Sequence, residues 1–268
     1  MAKTRCFHSR LPATDAVGAI TWSDPLPKTW KIRIESTAWQ RWGEANVSTQ
    51  GKSGWVVFRD LLSRTEAETI LRDIQALRFD PVGAGTAYEV VRGVAHKVPA
   101  VLKLAQSPRI LGAVKSVVGD DFDLVRSTST RKLPGAGAEL PWHQDEPFFP
   151  ELNAPFANVV VALEDLEDTT GGLRLATNPL ADSLLPHSQG KHGLECKSPD
   201  DHDQGTGIEL KVGQAVLMSS RVVHRTTANM TDRPVLDLVL QFAKPLGPNA
   251  AATLFAAPIA TMRAGALV

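Results

Sequence analysis

His143 and Asp145 stand two residues apart in the run Trp142-His143-Gln144-Asp145-Glu146. On a β-strand, residues i and i+2 share a face, so this spacing predicts an imidazole and a carboxylate aimed at one point. Both are ligands for a first-row transition metal. A third ligand must come from elsewhere in the chain, and the histidines available are His8, His96, His187, His192, His202 and His224. His224 is the best placed, because it falls in the apolar run Val222–Thr226, which reads as a strand after the turn near Gly213. His187, His192 and His202 sit in a polar stretch and read as solvated. Two histidines and one carboxylate on one face of an octahedron leave three adjacent positions open, the arrangement of non-haem Fe(II) oxygenases. A single histidine is more often packed or exposed than a ligand, so the argument rests on several features occurring together.

One such feature follows His224. Arg233 comes nine residues later, beside Pro234 at the start of the next apolar run. A guanidinium fixed near a metal binds a carboxylate bidentately. The co-substrate 2-oxoglutarate chelates iron through its C1 carboxylate and keto oxygen, and its distal carboxylate needs a cation.

The elements that must position these residues are legible in the hydrophobic pattern. Trp55–Phe58 reads as a strand. Ser63 and Glu66 form a capping box, and Ala67, Ile70, Leu71, Ile74 and Leu77 follow at helical spacing, predicting a helix over 64–77. Pro99 and Pro108 suit first-turn helix positions, the second after a Ser107 cap and with Gly119 as the stop. Residues 79–98, with Gly83, Gly85, Gly93 and the sole tyrosine, Tyr88, read as loop with some strand. Beyond Asp121 the expected strands are 122–126, 128–133, 157–163, 173–176, 207–210, 214–218, 222–226 and 235–242. The stretch 180–206 reads as an excursion over one end. Helices followed by many short strands argue for a mainly β fold, a jelly-roll or double-stranded β-helix core with the helices packed on one sheet.

Composition excludes several classes. Of 268 residues, 43% are hydrophobic and 22% charged, which is ordinary for a soluble globular chain. The 29 basic and 29 acidic side chains cancel, so nothing attracts nucleic acid over the whole surface. No apolar run approaches the roughly 18 residues of a membrane helix. Met1–Asp15 lacks the apolar segment of a secretory signal. Cys6 and Cys196 are too few for a disulfide framework. A cytoplasmic monomer or homodimer is the expectation. Residues 1–53 hold four of the six tryptophans without sustained periodicity. They read as an arm packing on the core, or as a lid or dimer contact, ahead of one domain over 54–268.

Five segments in order resemble the phytanoyl-CoA dioxygenase-like family of Fe(II)/2-oxoglutarate oxygenases. They are Gly54–Ser63, Lys132-Leu133-Pro134-Gly135 before the His143 motif, Ala162-Leu163-Glu164-Asp165, Gly171–Leu175, and Gly213 to His224 with Arg233. The resemblance covers roughly residues 54–243. It departs at Ala176-Thr177-Asn178-Pro179-Leu180, where the family usually has a proline-glycine-serine-histidine run. It implies His143, Asp145 and His224 as iron ligands, and Arg233, Lys132 and Thr226 as 2-oxoglutarate contacts. Asn158, by its position on the strand after the motif, could reach the C1 carboxylate. O2 is the further co-substrate, with succinate and CO2 released. The expected substrate is a small molecule such as an amino acid or specialised metabolite, which is hydroxylated, desaturated or epoxidised. Tyr88, Arg126, Glu146 and Phe148 are the expected pocket residues. Glu146 could equally cap or salt-bridge, Asn158 could be structural, and Lys132 could be solvated. Asp145 itself disfavours halogenation, because related halogenases carry a small residue there. The alternatives are an oxygenase of protein side chains and a jelly-roll protein whose metal is not catalytic.

Overall fold

Alternation of apolar and polar residues along the strands produces two antiparallel sheets facing each other. The computed structural model describes residues 47–49, 54–82, 87–135, 139–152, 154–180, 184–190, 193–197, 204–251, 254 and 256–268. Residues 1–46, Gly83, Gly85, His192 and His202 lie outside the described residues. In chain order the elements are β1 (Val47–Thr49), β2 (Trp55–Phe58), α1 (Arg64–Gln75), β3 (Asp80–Pro81), β4 (Tyr88–Arg92), α2 (Val94–Lys97), α3 (Pro99–Ala105), α4 (Pro108–Val118), β5 (Phe122–Lys132) and β6 (Leu140–His143). After two short 3-10 turns come β7 (Ala157–Ala162), β8 (Leu173–Leu180), β9 (His187–Gly190), β10 (Gly193–Cys196), β11 (Thr206–Ile208), β12 (Ala215–Ser219), β13 (Val222–Thr226), β14 (Val235–Ala243), α5 (Pro248–Ala251), β15 (Ile259–Arg263) and β16 (Ala266–Leu267).

The major sheet runs β1-β2-β12-β7-β14-β5-β15-β16, with β4 also pairing with β5 and β3 with β4. The minor sheet runs β11-β8-β13-β6. Strand periodicity sorts the major sheet's residues into two cores. On the outer face Val159, Val161, Leu217, Leu238 and Leu240 pack against Ile70, Ile74, Val101, Ile110 and Val114 of the helices. On the inner face Trp55, Val57, Val216, Met218 and Val235 meet Leu173, Leu175 and Val222 of the minor sheet. At about 1.5–3 kcal/mol for each large aliphatic side chain removed from water, these two layers dominate the stability. This is the expected double-stranded β-helix with helices on one sheet.

The predicted capping box is present. The Ser63 hydroxyl accepts from the Glu66 N–H, and the Glu66 carboxylate accepts from the Ser63 N–H at 2.8 Å. Gly119 ends α4 at φ 103°, as expected of a glycine stop. One expectation changes and two gain detail. The strands expected at 122–126 and 128–133 are one strand, β5, because its long pairing with β14 absorbs the irregularity near Leu124–Arg126 in a bulge. The stretch 79–98, read as loop with some strand, holds its strand at Tyr88–Arg92, which pairs with Thr128–Lys132. The excursion over 180–206 contains the hairpin β9–β10. Among the described residues, no helix is long and apolar enough to cross a membrane.

Candidate active site

The minor sheet brings the two histidines together. β6 ends on His143, and antiparallel pairing with β13 sets His224 directly opposite. Cross-strand partners share a face, and the two rings lie 4.2 Å apart at 52°. Each ring turns the same nitrogen away from the cavity. His143 Nδ1 is 2.7 Å from the Pro141 carbonyl, and His224 Nδ1 is 2.9 Å from the Val222 carbonyl. With Nδ1–H donating to those oxygens, the lone pair of each Nε2 faces inward, as a metal ligand requires.

Asp145 arrives differently from the sequence expectation. The strand stops at His143, and Asp145 has helical dihedrals, leading the 3-10 turn Glu146–Phe148. The N–H groups of Asp145 and Glu146 both donate to the Ser220 carbonyl, at 2.9 and 3.2 Å. This turn, rather than strand alternation, places the carboxylate 3.5 Å from His143 Nε2 and 3.8 Å from His224 Nε2. The three ligand atoms lie within 4.8 Å of one another. Two inward-facing imidazole nitrogens and one carboxylate are a donor set that fits Fe(II).

Neighbouring amides hold this set in place. Asn158 donates to Asp145 Oδ2 at 2.9 Å, and Gln241 donates to Asn158 Oδ1 at 2.8 Å. Gln144, fully buried, donates to the Arg221 carbonyl and accepts from the Leu185 N–H. Its own N–H donates to His187 Nε2 at 3.1 Å. His187 is therefore not a solvated loop histidine; it braces the metal motif from β9. Burial alone would raise the Asp145 carboxyl. The charge of His224 and the hydrogen bond and charge of His143 outweigh it, and the net direction is down. Burial pushes His224 down to about 4, with the neighbouring His143 adding to the effect. The site at neutral pH thus presents an anionic oxygen and a neutral imidazole.

A column of polar residues lines the barrel interior beyond the ligands. Lys132 pairs with Val235, Thr130 with Asp237 and Arg126 with Gln241, so these residues share the inner face. Lys132 is 4% exposed. Its Nζ donates to the Gly171 carbonyl at 2.7 Å and to the Thr227 carbonyl at 3.0 Å, and it lies 5.8 Å from the centre of the Tyr88 ring. The Tyr88 hydroxyl is hydrogen-bonded to Thr226. Thr226 is two residues past His224 on the same strand, hence on the same face. Burial lowers the Lys132 ammonium to about 8, opposed by the charge of Asp237, and burial raises Asp237, opposed by Lys132.

Two of the predicted site residues pair with charges away from the inner column. The Arg233 side chain is 55% exposed, and its guanidinium pairs with Glu164 at the end of β7, not with the inner column. The physical reason is position: Arg233 precedes Pro234 and the first residue of β14, outside the strand whose alternation directs Val235 and Asp237 inward. Glu146 is not a pocket residue. Its carboxylate accepts from Arg221 Nε at 2.7 Å and Nη2 at 3.0 Å, the salt-bridging role the sequence left open. Phe148, by contrast, stands edge-on to His143 at 5.5 Å, and Arg126 lies 4.1 Å over the Phe149 ring. Gln241, Asp237 and His187 contact the predicted site residues or share their face, and sequence reasoning did not place them there. Alternation along β14 from Val235 was the available signal for Asp237 and Gln241.

The phytanoyl-CoA dioxygenase (PhyH) family profile matches residues 51–234. The chain belongs to the phytanoyl-CoA dioxygenase family. It is 28% identical over 241 residues to an ectoine dioxygenase of Nocardia farcinica, covering 78% of this chain and 80% of the relative. It is 21% identical over 200 residues to a probable alpha-ketoglutarate-dependent hypophosphite dioxygenase of Stutzerimonas stutzeri, covering 66% and 70%. Among solved structures, EvdO2 from Micromonospora carbonacea var. aurantiaca complexed with 2-oxoglutarate superposes with a TM-score of 0.60 at 18% identity, covering 75% of this chain and 94% of that one. That likeness concerns the fold. By family, this dioxygenase uses iron, 2-oxoglutarate and O2.

Proposed function

We propose that His143, Asp145 and His224 hold the iron, and that 2-oxoglutarate extends from them along the barrel to Lys132, Thr226 and Tyr88. The observation that carries this reading is the convergence of the three ligand atoms in a barrel whose inner face also holds a buried lysine. When bound, iron with 2-oxoglutarate and O2 supplies oxidative decarboxylation to succinate and CO2, coupled to two-electron oxidation of a substrate.

The chain's own residues set the conditions for it. Asn158, backed by Gln241, fixes the Asp145 carboxylate and reaches toward the C1 end of the co-substrate. Thr226 follows His224 by roughly 6.5 Å along the strand, a distance on the scale of a five-carbon diacid. Lys132 there supplies a charge in a low-dielectric setting, where an ion pair is stronger than in water. Arg233, tied to Glu164 on the surface, does not take this role. Phe148 and Arg126 border the substrate side. The intact carboxylate of Asp145 favours hydroxylation, the simplest outcome, over halogenation. The ectoine and hypophosphite relatives support a small-molecule substrate.

Calorimetry under nitrogen tests the assignment, followed by succinate release with a panel of metabolites. His143→Ala is expected to lose metal binding. Lys132→Met is expected to raise the Kd for 2-oxoglutarate at least ten-fold, about 1.4 kcal/mol, whereas Arg233→Ala stays within two-fold. Wild-type protein with Fe(II) that neither binds nor consumes 2-oxoglutarate would sink the reading. A loss in Arg233→Ala equal to that in Lys132→Met would return the anchor to Arg233.

A further inference from the structure

A recess opens where β4 ends beside β5, with Arg92, His96, Arg126, Thr128 and Ala256 among its walls. The metal ligands do not line it, but Arg126 connects the two regions, since its charge acts on Asp145. We propose that the substrate carries an oxyanion group, a carboxylate or phosphonate, seated between Arg92 and Arg126. This rests on the dioxygenase reading above and names the substrate class of that site.

The register places both arginines on the inner face. Arg92 pairs with Thr128, and Arg126 is two residues before Thr128 on the same strand, so the two are diagonal neighbours. Their proximity has an electrostatic cost. Burial lowers both guanidinium groups from their ordinary value, and the charge of Arg92 lowers Arg126 further. Three carboxylates act in the opposite direction: Asp80 on Arg92, and Glu151 and Asp145 on Arg126. Two guanidinium groups lining one recess offer N–H donors to the oxygens of a single oxyanion.

This seat is separate from that of 2-oxoglutarate. Arg126 and Lys132 are six residues apart on one strand, roughly 20 Å in backbone terms, with the metal-ligand cluster acting on Arg126 at one end. Two phenylalanines also bridge Arg126 and the metal ligands. The Arg126 guanidinium lies over Phe149, whose ring is 6.4 Å from Phe148, which in turn contacts His143. An anionic head at the arginines with a hydrocarbon body against Phe148 and Phe149 would direct a C–H bond to the iron.

Fluorine NMR on protein loaded with Zn(II) and 2-oxoglutarate tests this with 4-fluorobenzoate, 4-fluorophenylphosphonate and 4-fluorobenzamide. The two acids are expected to bind at least ten-fold more tightly than the amide. Arg92→Gln and Arg126→Gln are each expected to erase that difference, and Arg126→Lys to retain part of it, with 2-oxoglutarate affinity within two-fold of wild type in Arg92→Gln. Mn(II) in place of Zn(II) is expected to broaden the bound acid's fluorine signal. Equal binding of acids and amide, or a preference that survives both glutamine variants, would overturn the proposal and leave the dioxygenase reading standing. Failure of the wild type to bind Zn(II) and 2-oxoglutarate would overturn both. Arg126→Lys keeps the test decisive if a glutamine variant does not fold.

Discussion

Lys132 shows how burial converts an ordinary residue type into a specific one. In water its ammonium would titrate near 10.5; inside the barrel burial brings it to about 8, within reach of laboratory pH. A bound carboxylate favours the charged form, so Lys132 should take up or keep a proton on 2-oxoglutarate binding. The sign follows. Affinity is full below about 8 and falls as pH rises through it, approaching ten-fold per unit. Isothermal titration of the metal-loaded protein between pH 6.5 and 9.5 checks this, and Lys132→Met should lack the inflection. An unchanged profile in that variant would remove Lys132 from the co-substrate site.

At the scale of elements, the entry to β8 matters as much as the lysine it faces. Gly171 has φ 88°, and a Cβ there would lie 2.5 Å from Lys132 Cδ and 2.9 Å from Nζ. Glycine serves two purposes at this position. It adopts a backbone conformation that costs other residues about 1–2 kcal/mol, and it lets the lysine stem pass while its carbonyl accepts from Nζ. Gly171→Ala is expected to lower stability by about that amount and to weaken 2-oxoglutarate several-fold, because Nζ must shift. Urea unfolding and calorimetry read the two effects. Lost stability with unchanged affinity would show that the close approach does not position the lysine. The turn after β6 is a second such case: Ser220 draws in two N–H groups and so carries Asp145 to the histidines.

Across the whole molecule, the proposed ligands come from one motif and a strand about eighty residues later, and they meet only in the folded barrel. Metal binding is therefore linked to folding. With Zn(II) at about a hundred times its Kd, unfolding free energy should rise by about 2.7 kcal/mol. A chelator should reverse the gain, and His143→Ala should show none; a gain of equal size in that variant would place the metal elsewhere. Much of this was legible in the chain. Alternating apolar residues, the capping box at Ser63 and the glycine stop at Gly119 specify their elements through local periodicity and local hydrogen bonds, which sequence carries directly. The spacing of His143 and Asp145, with His224 in an apolar strand, likewise singled out three groups that the fold brings together. What tertiary structure decided was direction. Arg233 and Lys132 are both cations near expected strands, and only the pairing of β5 with β14 and the Glu164 contact show which one faces inward. Glu146 was committed to Arg221 and His187 to Gln144 by contacts across 75 and 43 residues. Such choices depend on which distant side chain is present at the surface where each group emerges, and no local pattern in the sequence encodes that.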